Sequence, residues 1–325
     1  MAEHALQEDL PVIWRTKLRS TRPHPPVDHA EQVAHCLKKE LIGIGWGHEG
    51  LPHGASTDAV LSAIEASNED GWGRRAALIV RRFAMDAQVG DFVWTRDTHG
   101  RYLLCRLTGG HRYEMSQDAM RVDVHQVRDA EWAPTPLNDL DVPGGVIRCF
   151  VGTRESFSRI HDRGARAMTA YLWEKLHGCP LPRLELPPRE ILTSYLDPYD
   201  VEDLVYVWLQ IARGYVVLPR ARQRDTPAYE YTMLDGEGGV RAIAQIKTGA
   251  TPVDLDALAA AAVDGGTRTY AYATSGDYVG DRGQVTEVIE ADELLRFVRS
   301  DAALLPPRVQ AWFELASPRY QRAAH

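Results

Sequence analysis

Four prolines fall within nine residues, at positions 180, 182, 187 and 188 of the stretch Gly178-Cys-Pro-Leu-Pro-Arg-Leu-Glu-Leu-Pro-Pro188. Each lacks a backbone donor and pushes the residue before it toward extended backbone. Neither a helix nor a central strand runs through such a segment, so it reads as a linker between two bodies. The length agrees, since 325 residues at about 100–200 per domain suggest two domains. The division is read as 1–165 for the first domain, 166–190 for a helix end and the linker, and 191–325 for the second domain.

The composition, 44% hydrophobic and 25% charged, is that of a globular chain. Basic residues number 37 and acidic ones 45, a net charge of −8. Residues 1–165 hold 20 basic and 23 acidic side chains, or −3. This argues against a purely electrostatic nucleic-acid binder and leaves room for a local basic surface. No apolar run approaches the roughly 20 residues of a membrane span, and the N-terminal MAEHALQEDL has no signal-peptide core. Cys36, Cys105, Cys149 and Cys179 lie far apart without a CxxC, which gives neither a thiolate zinc finger nor a disulfide framework. A cytoplasmic protein with no membrane partner is expected.

The first half patterns as a mixed, β-rich domain. Strands are predicted at 12–15, 41–46, 92–95, 102–108 and 123–127, with 92–95 and 102–108 forming a hairpin through Thr98-His-Gly100. Helices are predicted at 28–39, 57–67 and 74–86, and one long helix over 155–177. In the second half, Asp200 is predicted to cap a helix that is apolar nearly all round and ends at Gly214. Strands follow at 215–218, 229–234 and 240–247, then a helix at 253–263, a strand at 269–274 and helices near 291–299 and 306–316. The order is α-β-β-β-α-β.

Chemistry concentrates around Gln245-Ile-Lys247. Alternate residues of a strand share a face, so Gln245 and Lys247 project together. A hairpin through Asp235-Gly-Glu-Gly-Gly239 places Glu230 on the neighbouring strand, and Glu202 is expected in the first turn of the preceding helix. A carboxylate, an amide oxygen and an amine gathered in this way suit Mg²⁺, which prefers oxygen ligands and retains waters that a phosphate can replace. Such a metal polarises the phosphate and lowers the pKa of the attacking water.

These residues, with Val201-Glu202-Asp203-Leu204-Val205 and Gly214-Tyr215-Val216 before them, resemble the PD-(D/E)xK nuclease core over residues 200–275, close to the Mrr-type restriction endonucleases. In that branch the acid of the motif is often Gln, giving QxK. The resemblance implies an α/β (α+β) restriction-endonuclease-like αβββαβ core with catalytic residues Glu202, Glu230, Gln245 and Lys247. It places the metal on Glu230 and Gln245, with Asp225 and Asp235 as rival acids where family members usually carry Asp. It also implies Mg²⁺, with Mn²⁺ as a substitute, and DNA as the partner. Because double-strand cleavage often needs two active sites, a homodimer is expected.

The N-terminal half carries Ile42-Gly-Ile-Gly-Trp-Gly47, Arg82-Phe83-Ala84, Val89-Gly90-Asp91-Phe92-Val93 and Tyr102-Leu103-Leu104 through Gly109. Over roughly residues 10–150 it resembles the EVE/PUA-like domain, a mixed β-barrel that precedes many Mrr-type nucleases. In that superfamily an aromatic pocket can hold a flipped, often modified, base by stacking and hydrogen bonding. Trp46, then Trp94, Tyr102 and Trp72, are the candidate pocket residues. An aromatic residue on a strand is equally a core residue.

Two motif-like spacings carry no function. Gly45-Trp-Gly-His-Glu-Gly50 matches GxGxxG, but Leu51-Pro52-His53-Gly54 opposes the helix that a dinucleotide site needs. His48 and His53 are five apart rather than four, with Gly and Pro between them, so they form no zincin signature. The expected function is therefore a metal-dependent DNA endonuclease of restriction or phage-defence type, with dependence on base modification as its extension. Two alternatives stay open: a nuclease-dead nucleic-acid-binding protein, and a defence effector whose N-terminal pocket senses a nucleotide signal.

Overall fold

The computed structural model describes residues 10–18, 26–67, 72–152, 155–179, 187–217, 231–235, 241–262, 266–281, 283 and 286–316. The chain divides into two units, Met1–Leu181 and Pro182–His325. The division falls inside the proline-rich segment.

The first unit is built on strands β1 (Ile13–Thr16), β2 (Leu41–Ile44), β3 (Phe92–Arg96), β4 (Tyr102–Tyr113), β5 (Gln126–Trp132) and β6 (Phe157–Ile160). They form one six-stranded sheet in the order β2-β5-β4-β3-β1-β6. β1 and β3 run parallel, and the other neighbours are antiparallel. Among the described residues β2 and β6 are the edges and do not pair, so the sheet is open where a barrel was expected. Local sequence explains the helices. Asp28 and Ser56 cap the helices His29–Lys38 and Thr57–Ala66. The helix Trp72–Arg81 continues as a π-helical turn, Arg82–Asp86. Buried Arg128 holds that turn by donating to the carbonyls of Phe83 at 3.2 Å and Ala87 at 2.6 Å. Trp14, Phe83 and Phe157 form the aromatic centre, with ring centroids 4.9 Å apart for Trp14–Phe157 and 5.1 Å for Phe83–Phe157.

Two sequence expectations are corrected here. The long helix over 155–177 is instead strand β6 followed by the helix Arg163–His177. β6 completes the edge of β1, where Arg15 donates to Ser158, and Asp162 then caps the helix. That helix packs in the first unit, with Thr169 accepting from Trp94 Nε1 at 3.0 Å. The strand expected at 123–127 starts at Gln126. Ser116 caps a short helix, Gln117–Val122, and left-handed Asp123 ends it.

The second unit follows the predicted α-β-β-β-α-β order with one short strand, β10, inserted before the second helix, where helix was expected from 253. The helix Pro198–Arg213 is followed by β7 (Tyr215–Val217), β8 (Tyr231–Asp235), β9 (Arg241–Lys247), β10 (Val253–Asp254), the helix Leu255–Ala260 and β11 (Arg268–Ala273). Then come β12 (Tyr278–Val279), β13 (Thr286–Val288) and the helices Ala291–Asp301 and Pro307–Ala316. The main sheet runs β13-β11-β9-β8-β7, and β10 pairs with β12 in a separate ladder. β7, β8 and β9 form an antiparallel meander, while β9, β11 and β13 are parallel. Asp197 caps the first helix and Pro198 occupies its first position, so the helix starts earlier than expected. Asp200 is therefore inside the first turn, not at the cap.

Candidate functional site

β9 sets the geometry of the C-terminal site. Ile243, Gln245 and Lys247 alternate onto one face of the sheet. Ile243 lies in an apolar cluster with Val253, Leu255, Leu258, Ala271 and Ala273, so the helix Leu255–Ala260 covers this face at Ile243. Gln245 is 3% exposed, and Lys247 is half-buried at the strand's end. The parallel neighbour β11 places Ala271 beside Gln245 and Ala273 beside Lys247. Partners across a ladder share a face, so only methyl groups flank the amide and the amine on that side. The face thus runs from dry core at Ile243 to solvent at Lys247.

The candidate acids are distributed unequally. Glu230 and Asp225 lie outside the described residues. Glu230 directly precedes Tyr231, which pairs with Ala244, the neighbour of Gln245. Asp235 is a strand residue, not a turn residue: it ends β8 and pairs with Tyr215. It follows Leu234, which pairs with Arg241 at the start of β9. Lys247 is six residues further along that strand, about 20 Å at 3.3 Å per residue. Asp235 is therefore at the wrong end of the ladder to share a metal with Gln245. Glu202 is half-buried and, because Asp197 is the cap, stands in the second turn of its helix rather than the first. Among the described residues, no three His, Cys, Asp or Glu side chains come together as a metal cluster. Among the described residues β9 offers one amide oxygen and one amine on this face, Gln245 and Lys247, and the acids Glu230 and Asp225 lie outside the description.

A buried ion cluster fixes the start of the Glu202 helix. Arg308, from Pro307–Ala316, donates to both Asp200 and Asp203. Burial is the main influence on Asp200 and pushes its carboxyl up to about 6; Arg308 opposes this, and Asp197 and Asp203 reinforce it. Arg308 was not legible from local sequence, because its partners lie 108 and 105 positions away.

In the first unit the aromatic candidates separate. Trp94 is fully buried and Tyr102 is 2% exposed. Tyr102 packs edge-on against Trp94 and Phe150, with centroids at 6.5 and 5.4 Å. Both are core residues, which corrects their assignment to a base pocket: the helices Arg163–His177 and Gly144–Gly152 cover them. Trp72 begins a helix, and its side chain lies outside the description. Trp46 is half-buried, packs on the core and adopts φ +71°, a left-handed conformation rare for a bulky residue.

Sequence reasoning also missed the polar chain behind Trp46. Gln126 Nε2 donates to the Trp46 carbonyl at 2.9 Å, so its Oε1 faces His111 Nε2 at 2.9 Å. His111 Nδ1 lies 2.9 Å from Thr57 Oγ1. Gln126 Oε1 can only accept, which puts the neutral His111 proton on Nε2 and makes Thr57 the donor to Nδ1. Burial, more than any neighbour, holds His111 below the usual imidazole range. A bulge in β4 between Leu107 and His111 turns the imidazole into this position. Beside it opens a cavity of ≈ 310 Å³ lined by His53, Ser56, Thr57, His111, Tyr113 and Glu114, among others.

Among the described residues no helix is long and apolar enough to cross a membrane. Residues 14–143 match a family described as a domain of unknown function, DUF8426, which lies wholly within the first unit. No curated protein matches the sequence. Among solved structures the chain is similar to the MspJI restriction endonuclease in complex with a 27-mer oligonucleotide, with 10% identity and a TM-score of 0.23 over 75% of this chain and 69% of that one.

Proposed function

We propose that the protein is a metal-dependent DNA endonuclease of restriction type, with its hydrolytic site on β9. One observation carries this reading: Gln245 and Lys247 share the face of β9 where the sheet passes from core to solvent, within an α-β-β-β-α-β unit. In this reading Gln245 and Glu230 hold Mg²⁺, with Mn²⁺ as a substitute, and Glu202 serves from the adjoining helix. The metal, when bound, polarises the scissile phosphate and lowers the pKa of its water. Lys247 holds the attacking water or faces the charge that develops on the phosphate.

The first unit is proposed to select the DNA. Trp46, held left-handed with its carbonyl accepting from Gln126, is the aromatic surface on which a displaced base would stack. Dependence on a modified base and action as a homodimer belong to the same proposal. The test is cleavage of unmodified, cytosine-methylated and hydroxymethylated DNA with Mg²⁺ and with EDTA. Cleavage that needs the metal supports the reading. Absence of metal-dependent cleavage on every substrate, with DNA binding intact, would favour a nuclease-dead binding protein.

A further inference from the structure

The first unit is acidic overall, yet one of its helices presents a cationic face. Along Trp72–Arg81 and the π-helical turn after it, Ala76, Ala77, Ile79, Val80 and Phe83 are buried. The outward positions are Arg74, Arg75, Leu78, Arg81 and Met85, which follow helical spacing and are all exposed. No acidic residue occurs from Trp72 to Met85.

Five other arginines of this unit are held by carboxylates. Arg82, Arg101, Arg112, Arg121 and Arg148 each have a carboxylate oxygen within 3.0 Å. Among the described residues Arg74, Arg75 and Arg81 make no ion pair. Arg74 and Arg81 are seven residues apart, about 10.5 Å along the axis at 1.5 Å per residue. The platform is firm, because Arg128 ties the following π-helical turn into the sheet through the Phe83 and Ala87 carbonyls. Three guanidiniums without a carboxylate partner among the described residues, on a fixed surface, suit phosphate oxygens, which arginine meets with two parallel N–H donors.

We infer that the face formed by Arg74, Arg75 and Arg81 is a phosphate-backbone contact surface for duplex DNA, which positions the first unit on its substrate without reading sequence. The inference rests on the DNA-endonuclease reading and extends it to a surface of the first unit that shares no residue with the ≈ 310 Å³ cavity. An anionic lipid surface would also attract these charges. The apolar side of this helix is already buried in the core, however, and among its described side chains Leu78 and Met85 are the exposed apolar ones, whereas an interfacial helix inserts a whole apolar face. Contacts that fix position on the phosphates carry affinity and its salt dependence rather than specificity.

The experiment compares the full-length protein with its Arg74→Gln/Arg75→Gln/Arg81→Gln variant. Binding to a short unmodified DNA duplex is followed by fluorescence anisotropy in EDTA from 50 to 200 mM salt, with circular dichroism to check the fold. Losing three phosphate contacts should flatten the slope of log K against log salt by about 2.7, at about 0.9 per contact. Over this fourfold salt range, the wild type should lose about 40-fold more affinity than the variant. Equal slopes in two well-bound proteins would overturn the surface and leave the nuclease reading standing. If the wild type fails to bind duplex DNA at all, both fall. Binding to phosphatidylglycerol vesicles that the variant loses, with duplex binding unchanged, would overturn the proposal in favour of a lipid contact.

Discussion

Lys247 ends β9 opposite Ala273, and its carbonyl accepts the backbone N–H of Thr274 at 3.0 Å. The lysine backbone is thus held by the ladder and by the turn that follows β11, independently of its side chain. Removing the amine leaves those bonds in place, so a Lys247 variant reports on chemistry rather than on folding.

The ladder also separates the acids. Asp235 lies beside the start of β9, whereas Tyr231, which follows Glu230, pairs with Ala244. Glu230→Ala should therefore weaken Mg²⁺-dependent cleavage far more than Asp235→Ala, which should cut normally. A Mg²⁺ titration of both variants beside Asp225→Ala decides the matter. A dead Asp225→Ala with a normal Glu230→Ala would move the metal ligand to Asp225.

Trp94 and Trp46 should behave as different kinds of residue. Trp94 is fully buried and its indole N–H is satisfied by Thr169, so Trp94→Ala should destabilise the first unit by about 3–5 kcal/mol. Trp46 is half-buried, and Trp46→Ala should leave the fold intact by circular dichroism while lowering affinity for modified DNA by about 1–3 kcal/mol. Thermal unfolding and DNA binding of the two variants check this. An unfolded Trp46→Ala would make Trp46 a core residue as well.

The two units should respond to acid in opposite directions. Burial lowers the pKa of His111 and of His35, so below the ordinary imidazole value of about 6.5 the unfolded chain binds more protons at these positions than the folded one. Their contribution to stability is complete above that pH and is lost as pH falls through the lower folded values. Asp200 is raised to about 6, so between its ordinary value of 3.8 and about 6 the folded chain binds the extra proton. Its contribution is present at low pH and is lost as pH rises through about 6. Hydrogen exchange followed separately in each unit, with His111→Asn and Asp200→Asn as controls, measures both trends. A pH slope in the first unit that is unchanged in His111→Asn would remove His111 as its cause.

Much of the second unit was legible because its signals are local. Gly214 ends a helix, β8 and β9 pair on either side of the glycine-rich stretch in the sequence, and the alternation in β9 puts Gln245 beside Lys247 on one face. What escaped was non-local. β6 reads as helix until β1 offers it an edge, through an Arg15–Ser158 contact spanning 143 positions. Trp94 reads as a pocket residue until the helix bearing Thr169 covers it. The chain Thr57–His111–Gln126–Trp46 joins four segments and depends on a bulge that no periodicity announces. The Asp197-Pro198 cap was visible in sequence, but Asp200 competed for the same role.

The most direct measurement is plasmid cleavage by the full-length protein and by Lys247→Ala, with Mg²⁺ and with EDTA, alongside DNA binding by both. We expect the wild type to cut with Mg²⁺ and not with EDTA. We expect Lys247→Ala to lose about 10²–10³-fold in cleavage rate, as when one transition-state donor is removed, while binding DNA as well as the wild type. Undiminished Mg²⁺-dependent cleavage by Lys247→Ala would contradict the placement of the hydrolytic site on β9.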